Sequence, residues 1–144
     1  MPTLRIRTWP GFSVKLSSWE AVLSEDGALL IEAAWHDAGH RKTAEQVSEI
    51  GKKKAQRVLS ELSRLIPVGT TQVYEFDDVG GYDLEIETEL GVQKWVDAGV
   101  LSYSRQDKTT QAINDIFRSI EAEVLHHLKP LGYPDSRARK RKHK

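Results

Sequence analysis

The sequence predicts an α+β fold, in which two long amphipathic helices pack on one face of an antiparallel sheet of about five or six strands. Segments with an apolar residue at every second position predict the strands, and two longer segments with a helical apolar period predict the helices. These elements follow the order βββα-βββα, which favours a sheet covered on one face. Hydrophobic residues make up 39% of the 144-residue chain and charged residues 29%, as in an ordinary folded domain.

The first three strands are predicted in the N-terminal quarter of the chain. Alternation over residues 4–8 and 12–16, on either side of a Pro-Gly turn, predicts a hairpin. The apolar run 28–35 predicts a third, more deeply buried strand. Residues 19–23 fit either a strand or a single helical turn.

The first helix is predicted to begin at Thr43. Thr43-Ala44-Glu45-Gln46 has the form of a capping box, in which the threonine and glutamine side chains satisfy free backbone donors. A stripe of apolar residues at helical spacing continues to Ile66, and Pro67 ends the pattern.

The second half of the chain is predicted to repeat the order of three strands and a helix, although the two halves share no residue pattern. Residues 72–76 and 82–89 flank an acidic turn with two glycines and predict a hairpin. Residues 92–103 predict a further strand. A helix is predicted over 109–129, and Pro130 stops it.

The charge distribution divides the chain into a domain, 1–134, and a disordered basic C-terminal tail, 135–144. Six basic residues and one acid give the tail +5, which leaves 15 basic and 20 acidic residues, or −5, in the domain. Such a dense block of like charge favours a solvated arm that attracts phosphates or acidic surfaces.

The composition excludes several classes of protein and site. The chain has no cysteine, so it has no disulfide, thiolate metal site or cysteine nucleophile. No apolar run approaches the ~20 residues that cross a bilayer, and no signal peptide is recognisable. We therefore expect a cytoplasmic protein without membrane contact.

Alternating carboxylates on the second hairpin form the candidate partner-binding surface. Four of them would lie about 7 Å apart along one side of a strand, and two aspartates lie in the adjacent turn. Three interpretations are open: an edge strand kept soluble by its charge, a cation site, or an acidic surface for a basic partner. The candidate residues are Asp77, Asp78, Asp83, Glu85, Glu87 and Glu89.

Basic residues of the first helix and of the tail form a candidate nucleic-acid surface. The three helical residues share one flank, so they could follow a phosphate backbone, although such residues are commonly solvated decoration. The candidates are Lys53, Arg57, Arg64, Arg137, Arg139, Lys140, Arg141 and Lys142.

Two histidines and an aspartate lie within five residues and form a weak candidate metal site. His36 and His40 would share one face of a helix at a spacing used by zinc sites. Gly39 and the capping box favour instead a strand-to-helix loop in which these side chains and Asp37 are solvated.

These features favour a non-enzymatic protein-binding module, such as an inhibitor or toxin-neutralising protein, that uses the acidic hairpin and an accessory basic tail. A nucleic-acid-binding protein that uses the basic helix and tail is the alternative, and a metal-dependent enzyme is the third. No cofactor is expected. A protein partner is expected. The identity of this partner and the oligomeric state stay open. The sequence also leaves open whether the tail contacts a partner or folds back onto the acidic strand.

Overall fold

The structure is a computed structural model that describes residues 2–10, 17–74, 80–89, 91–98 and 108–134. Its strands are β1 (Thr3–Trp9), β2 (Ser18–Ser24), β3 (Ala28–Asp37), β4 (His40–Glu49), β5 (Gly69–Tyr74), β6 (Gly81–Thr88) and β7 (Gly91–Ala98). Its helices are α1 (Lys52–Leu65) and α2 (Lys108–Leu128), and a 3₁₀ turn (Lys129–Leu131) follows α2.

Within the described residues the strands form one mixed sheet in the order β4-β3-β2-β1-β6-β7-β5. Neighbouring strands are antiparallel except β5 and β7, which are parallel. The chain builds β1 to β4 as a meander, and α1 then carries it from β4 at one edge to β5 at the opposite edge. β6 returns to the middle of the sheet and pairs with both β1 and β7.

One face of the sheet holds the hydrophobic core. Alternate strand residues such as Leu4, Ile31 and Leu84 are buried there in one cluster with the apolar sides of both helices. Phe117 of α2 stacks on Tyr82 of β6, with ring centroids 3.7 Å apart, and so holds the longer helix over the middle of the sheet. Within the described residues, neither helix combines the length and apolar character needed to cross a membrane.

The start of the first helix differs from the prediction. The capping-box segment belongs to β4, where Thr43 pairs with Ala34 and Gln46 pairs with Ile31. Cross-strand hydrogen bonds to β3 replace the local side-chain bonds of a cap, so tertiary pairing overrides the local signal. The helix begins only at Lys52, after Gly51, and is 14 residues long.

The predicted fold class was wrong in its sheet and in its two long helices. The sheet is mixed and has seven described strands, because β4 was assigned to the helix and because β5 pairs with β7 rather than with β6. Residues 19–23, which were ambiguous, lie in β2. The predicted strand 12–16 and the end of the one at 92–103 lie outside the described residues.

Gly27 sets the junction between the meander and α1. It has φ 101°, and a Cβ there would lie 2.7 Å from the carbonyl carbon of Gly51. The amide of Ile50 donates to the Gly27 carbonyl at 2.9 Å. Only glycine combines this backbone conformation with so close an approach, and the contact fixes the end of β4 beside the start of α1.

Candidate binding face

The face of the sheet opposite the core is the candidate functional site, and we call it the open face. Strand side chains alternate between the two faces, so the residues between the buried core positions point to the open face. Among the described residues, both helices lie on the core side. Exposed side chains occur on the open face of β1, β2, β3, β4, β6 and β7.

Three glutamates lie side by side across the open face, and we call them the acidic row. Glu20 of β2 is directly opposite Glu32 of β3, and Glu32 is directly opposite Glu45 of β4. All three are exposed. Side chains in such register have Cβ atoms about 5 Å apart, and like charges directly opposite one another destabilise a sheet.

The basic residue directly beside the acidic row forms its ion pairs with carboxylates outside the row. Arg7 of β1 is also opposite Glu20, but its Nε lies 3.2 Å from Oδ1 of Asp83 and its Nη2 lies 3.8 Å from Oε2 of Glu85. Within the described residues, no ion pair joins a lysine or arginine to the acidic row. In the part of the chain that the structure describes, the carboxylates of the row therefore have no lysine or arginine partner within 4.0 Å.

An apolar row runs beside the acidic row on the same strands. Val22, Leu30 and Val47 occupy one cross-strand register of β2, β3 and β4. Leu30 is 49% exposed and Val47 is 65% exposed. Neighbouring acidic and apolar rows form a surface suited to a partner that offers both cations and apolar groups.

The structure separates the acidic residues predicted from the sequence. Asp83, Glu85 and Glu87 lie on the open face of β6, and Glu89 lies in the turn that follows. β6 lies inside the sheet between β1 and β7, so the edge-strand interpretation was wrong. Asp83 and Glu85 pair with Arg7, while Asp77 and Asp78 lie outside the described residues.

The two histidines of the candidate metal site lie on opposite faces of a hairpin. Ala38 and Gly39, with φ 51° and 80°, form a two-residue turn between β3 and β4. His40 pairs with Asp37, whereas His36 is one position further along and points to the other face. Among the described residues, no group of three or more potential ligands could hold a metal ion.

The basic flank predicted on the first helix is present at the surface. Lys53, Arg57 and Arg64 are exposed on α1, whose opposite side is buried in the core. The tail residues Arg137, Arg139, Lys140, Arg141 and Lys142 lie outside the described residues.

A buried polar cluster beneath the sheet has a structural role. Tyr82 is 1% exposed and donates its hydroxyl hydrogen to Oδ1 of Asn114 on α2. Burial first, and then the nearby Asp97 carboxylate, raise the pKa of Tyr82 far above the ordinary tyrosine value. The phenol therefore stays protonated and ties β6 to α2.

The acidic row was missed because its members are distant in sequence. Leu30 and Glu32 alternate with the buried Leu29, Ile31 and Ala33. This alternation could have placed Glu32 on the outer face of the sheet. Glu45 was assigned to a helix, and nothing in the sequence places it beside Glu32.

Neither a protein family model nor a curated protein matches this chain.

Proposed function

We propose that this protein is a non-enzymatic binding module whose open face binds a protein partner with a basic, partly apolar surface. The observation that supports this proposal is the acidic row, in which Glu20, Glu32 and Glu45 face one another across three strands. An inhibitor or toxin-neutralising protein is the role proposed for such a module. The proposal invokes no cofactor and places the protein in the cytoplasm.

Folding alone gives no reason for the acidic row. Opposed like charges weaken cross-strand pairing, and opposite charges or β-branched residues would stabilise the same positions. A basic partner would relieve the repulsion and gain from a complementary potential, which mainly raises the association rate and the specificity. The adjacent Leu30 and Val47 supply apolar area that binding can remove from water.

The test uses two synthetic peptides of equal charge, one with alternating lysine and leucine and one with alternating lysine and glycine. Fluorescence anisotropy of each labelled peptide is measured with the full chain. We expect the lysine-leucine peptide to bind more tightly, because only this peptide can also cover the apolar row, and we expect added salt to weaken both.

The matched variants remove two charges on the open face or two elsewhere. The double variant Glu20→Gln, Glu32→Gln should raise the dissociation constant about tenfold, if each charge contributes about 0.7 kcal/mol. The control Glu61→Gln, Asp115→Asn changes two exposed acids on the helices and should leave affinity nearly unchanged. Equal affinities for the two double variants would contradict the proposal.

Nucleic-acid binding through α1 is the second candidate. Lys52, Lys53 and Lys54 occupy the first turn of α1, which has no acidic residue, and cations there oppose the helix dipole. This unfavourable placement, beside the exposed Arg57 and Arg64, supports a surface kept for an anionic partner.

Anisotropy of mixed-sequence DNA and RNA tests the second candidate in the full chain. The variant Lys53→Gln, Arg57→Gln, Arg64→Gln should weaken binding and lower the salt slope by up to about 3, or about 0.9 for each lost phosphate contact on B-DNA. A variant with neutralised tail arginines and lysines separates the tail from the helix. Binding lost only in the tail variant would reject α1 as the site.

A further inference from the structure

We propose that β4 pairs antiparallel with β4 of a second copy of this chain, so that one sheet continues through a symmetric dimer. This inference concerns the edge of the sheet and does not depend on what the open face binds. Its basis is the geometry of β4 and the order of charges along it.

β4 is a long and regular edge. It is the terminal strand of the described sheet, and its ten residues pair one-to-one with β3 without a register shift. Because Asp37 and His40 close a two-residue turn, the even-numbered residues of β4 bond to β3 and the odd-numbered ones direct their N–H and C=O groups outwards. Among the described residues no strand pairs with this outer side of β4, so it offers the unpaired backbone that a further strand requires.

The charges of β4 are separated by sign along the strand. Arg41 and Lys42 lie at its beginning, and Glu45 and Glu49 lie in its second half; all four are exposed. Charges along an edge commonly prevent pairing. Here an antiparallel copy would place the basic half beside the acidic half, so Arg41 and the two glutamates, which share the open face, attract.

The charge pattern also excludes one register of the dimer. Pairing centred on Glu45 would set two glutamates directly opposite each other, which is unfavourable. Pairing centred on Thr43 or on Ala44 avoids this contact. The first register sets Arg41 directly opposite Glu45 of the partner subunit. The second register sets Glu45 of the partner subunit and Glu49 of the partner subunit diagonal to Arg41, within reach of a long side chain.

Light scattering and sedimentation velocity of the full chain test the dimer. We expect a mass of twice 16.3 kDa at high micromolar concentration, falling to the monomer mass on dilution. A monomer at every concentration would overturn the proposal.

Charge reversal tests the pairing itself. R41E/K42E makes the edge wholly acidic and E45K/E49K makes it wholly basic, so each alone should raise the dimer dissociation constant about tenfold or more. An equimolar mixture of the two variants should restore a heterodimer. Variants that dimerise alone like the wild type, or a mixture that stays monomeric, would overturn the proposal.

A backbone variant keeps the test independent of charge. Thr43→Pro removes an outward N–H and leaves the bonds to β3 in place, so it should give a monomer with an unchanged far-ultraviolet circular dichroism spectrum. A folded Thr43→Pro dimer would show that the contact lies elsewhere. Glu20 and Glu32 are outside this edge, so failure of the dimer and failure of peptide binding are separate results.

Discussion

Replacement of Glu32 by lysine should stabilise the fold while it removes partner binding. Glu32 is the middle member of the acidic row and faces Glu20 on one side and Glu45 on the other. The substitution turns two repulsive cross-strand pairs into two attractive ones. Each pair contributes about 0.2–1 kcal/mol in sheets, and exposure favours the lower part of that range. We expect the free energy of unfolding to rise by about 1 kcal/mol.

Urea denaturation at low salt measures this change, and three comparisons define its cause. Glu32→Gln removes repulsion without adding attraction, so it should give about half the gain. In 1 M salt the screening length of about 3 Å is shorter than the cross-strand spacing, so the gain should nearly vanish. Glu61→Lys makes the same charge change on α1 beside Arg57 and Arg64, and it should not stabilise. A Glu32→Lys variant that is less stable than wild type, or a gain unaffected by salt, would show that repulsion within the acidic row does not weaken the sheet.

Three further predictions concern the buried polar groups. Tyr82→Phe removes the hydroxyl donated to Asn114 and should lower the free energy of unfolding by about 1–3 kcal/mol in urea denaturation. Gln93→Ala removes donors that lie 2.7 Å and 2.6 Å from two carbonyl oxygens at the end of α1; it should cost about 1–2 kcal/mol, whereas the exposed Gln72→Ala should cost less than about 0.5 kcal/mol. Burial raises the pKa of Tyr133 to about 12, so its stabilising contribution is complete below the unfolded value of about 10 and declines between pH 10 and 12. Absorbance at 295 nm and alkaline denaturation measure this, and ionisation of Tyr133 near 10 would contradict it.

Local periodicity predicted those elements whose burial follows a simple repeat. α2 lies at 108–128, within one residue of the predicted 109–129, because its apolar stripe is long and Pro130 follows it. β3 also lies at the apolar run, because its inner residues alternate with outer ones. In these segments the local and the tertiary preferences agree.

Pairing between distant strands could not be predicted in the same way. The capping-box pattern at Thr43 is a local signal, whereas the β4 strand depends on hydrogen bonds to β3. The interior place of β6 depends on contacts with β1, more than 70 residues away in sequence. The acidic row depends on the register of β3 with β2 and with β4, so its three glutamates were not recognised as one surface.

The most direct test of the binding face is an amide NMR titration of the full chain with the lysine-leucine peptide. We expect the largest chemical-shift changes on β2, β3 and β4 around Glu20, Glu32 and Leu30, and we expect them to shrink in the Glu20→Gln, Glu32→Gln variant. Changes centred on α1, or changes of equal size in that variant, would contradict the assignment of the open face as the binding site.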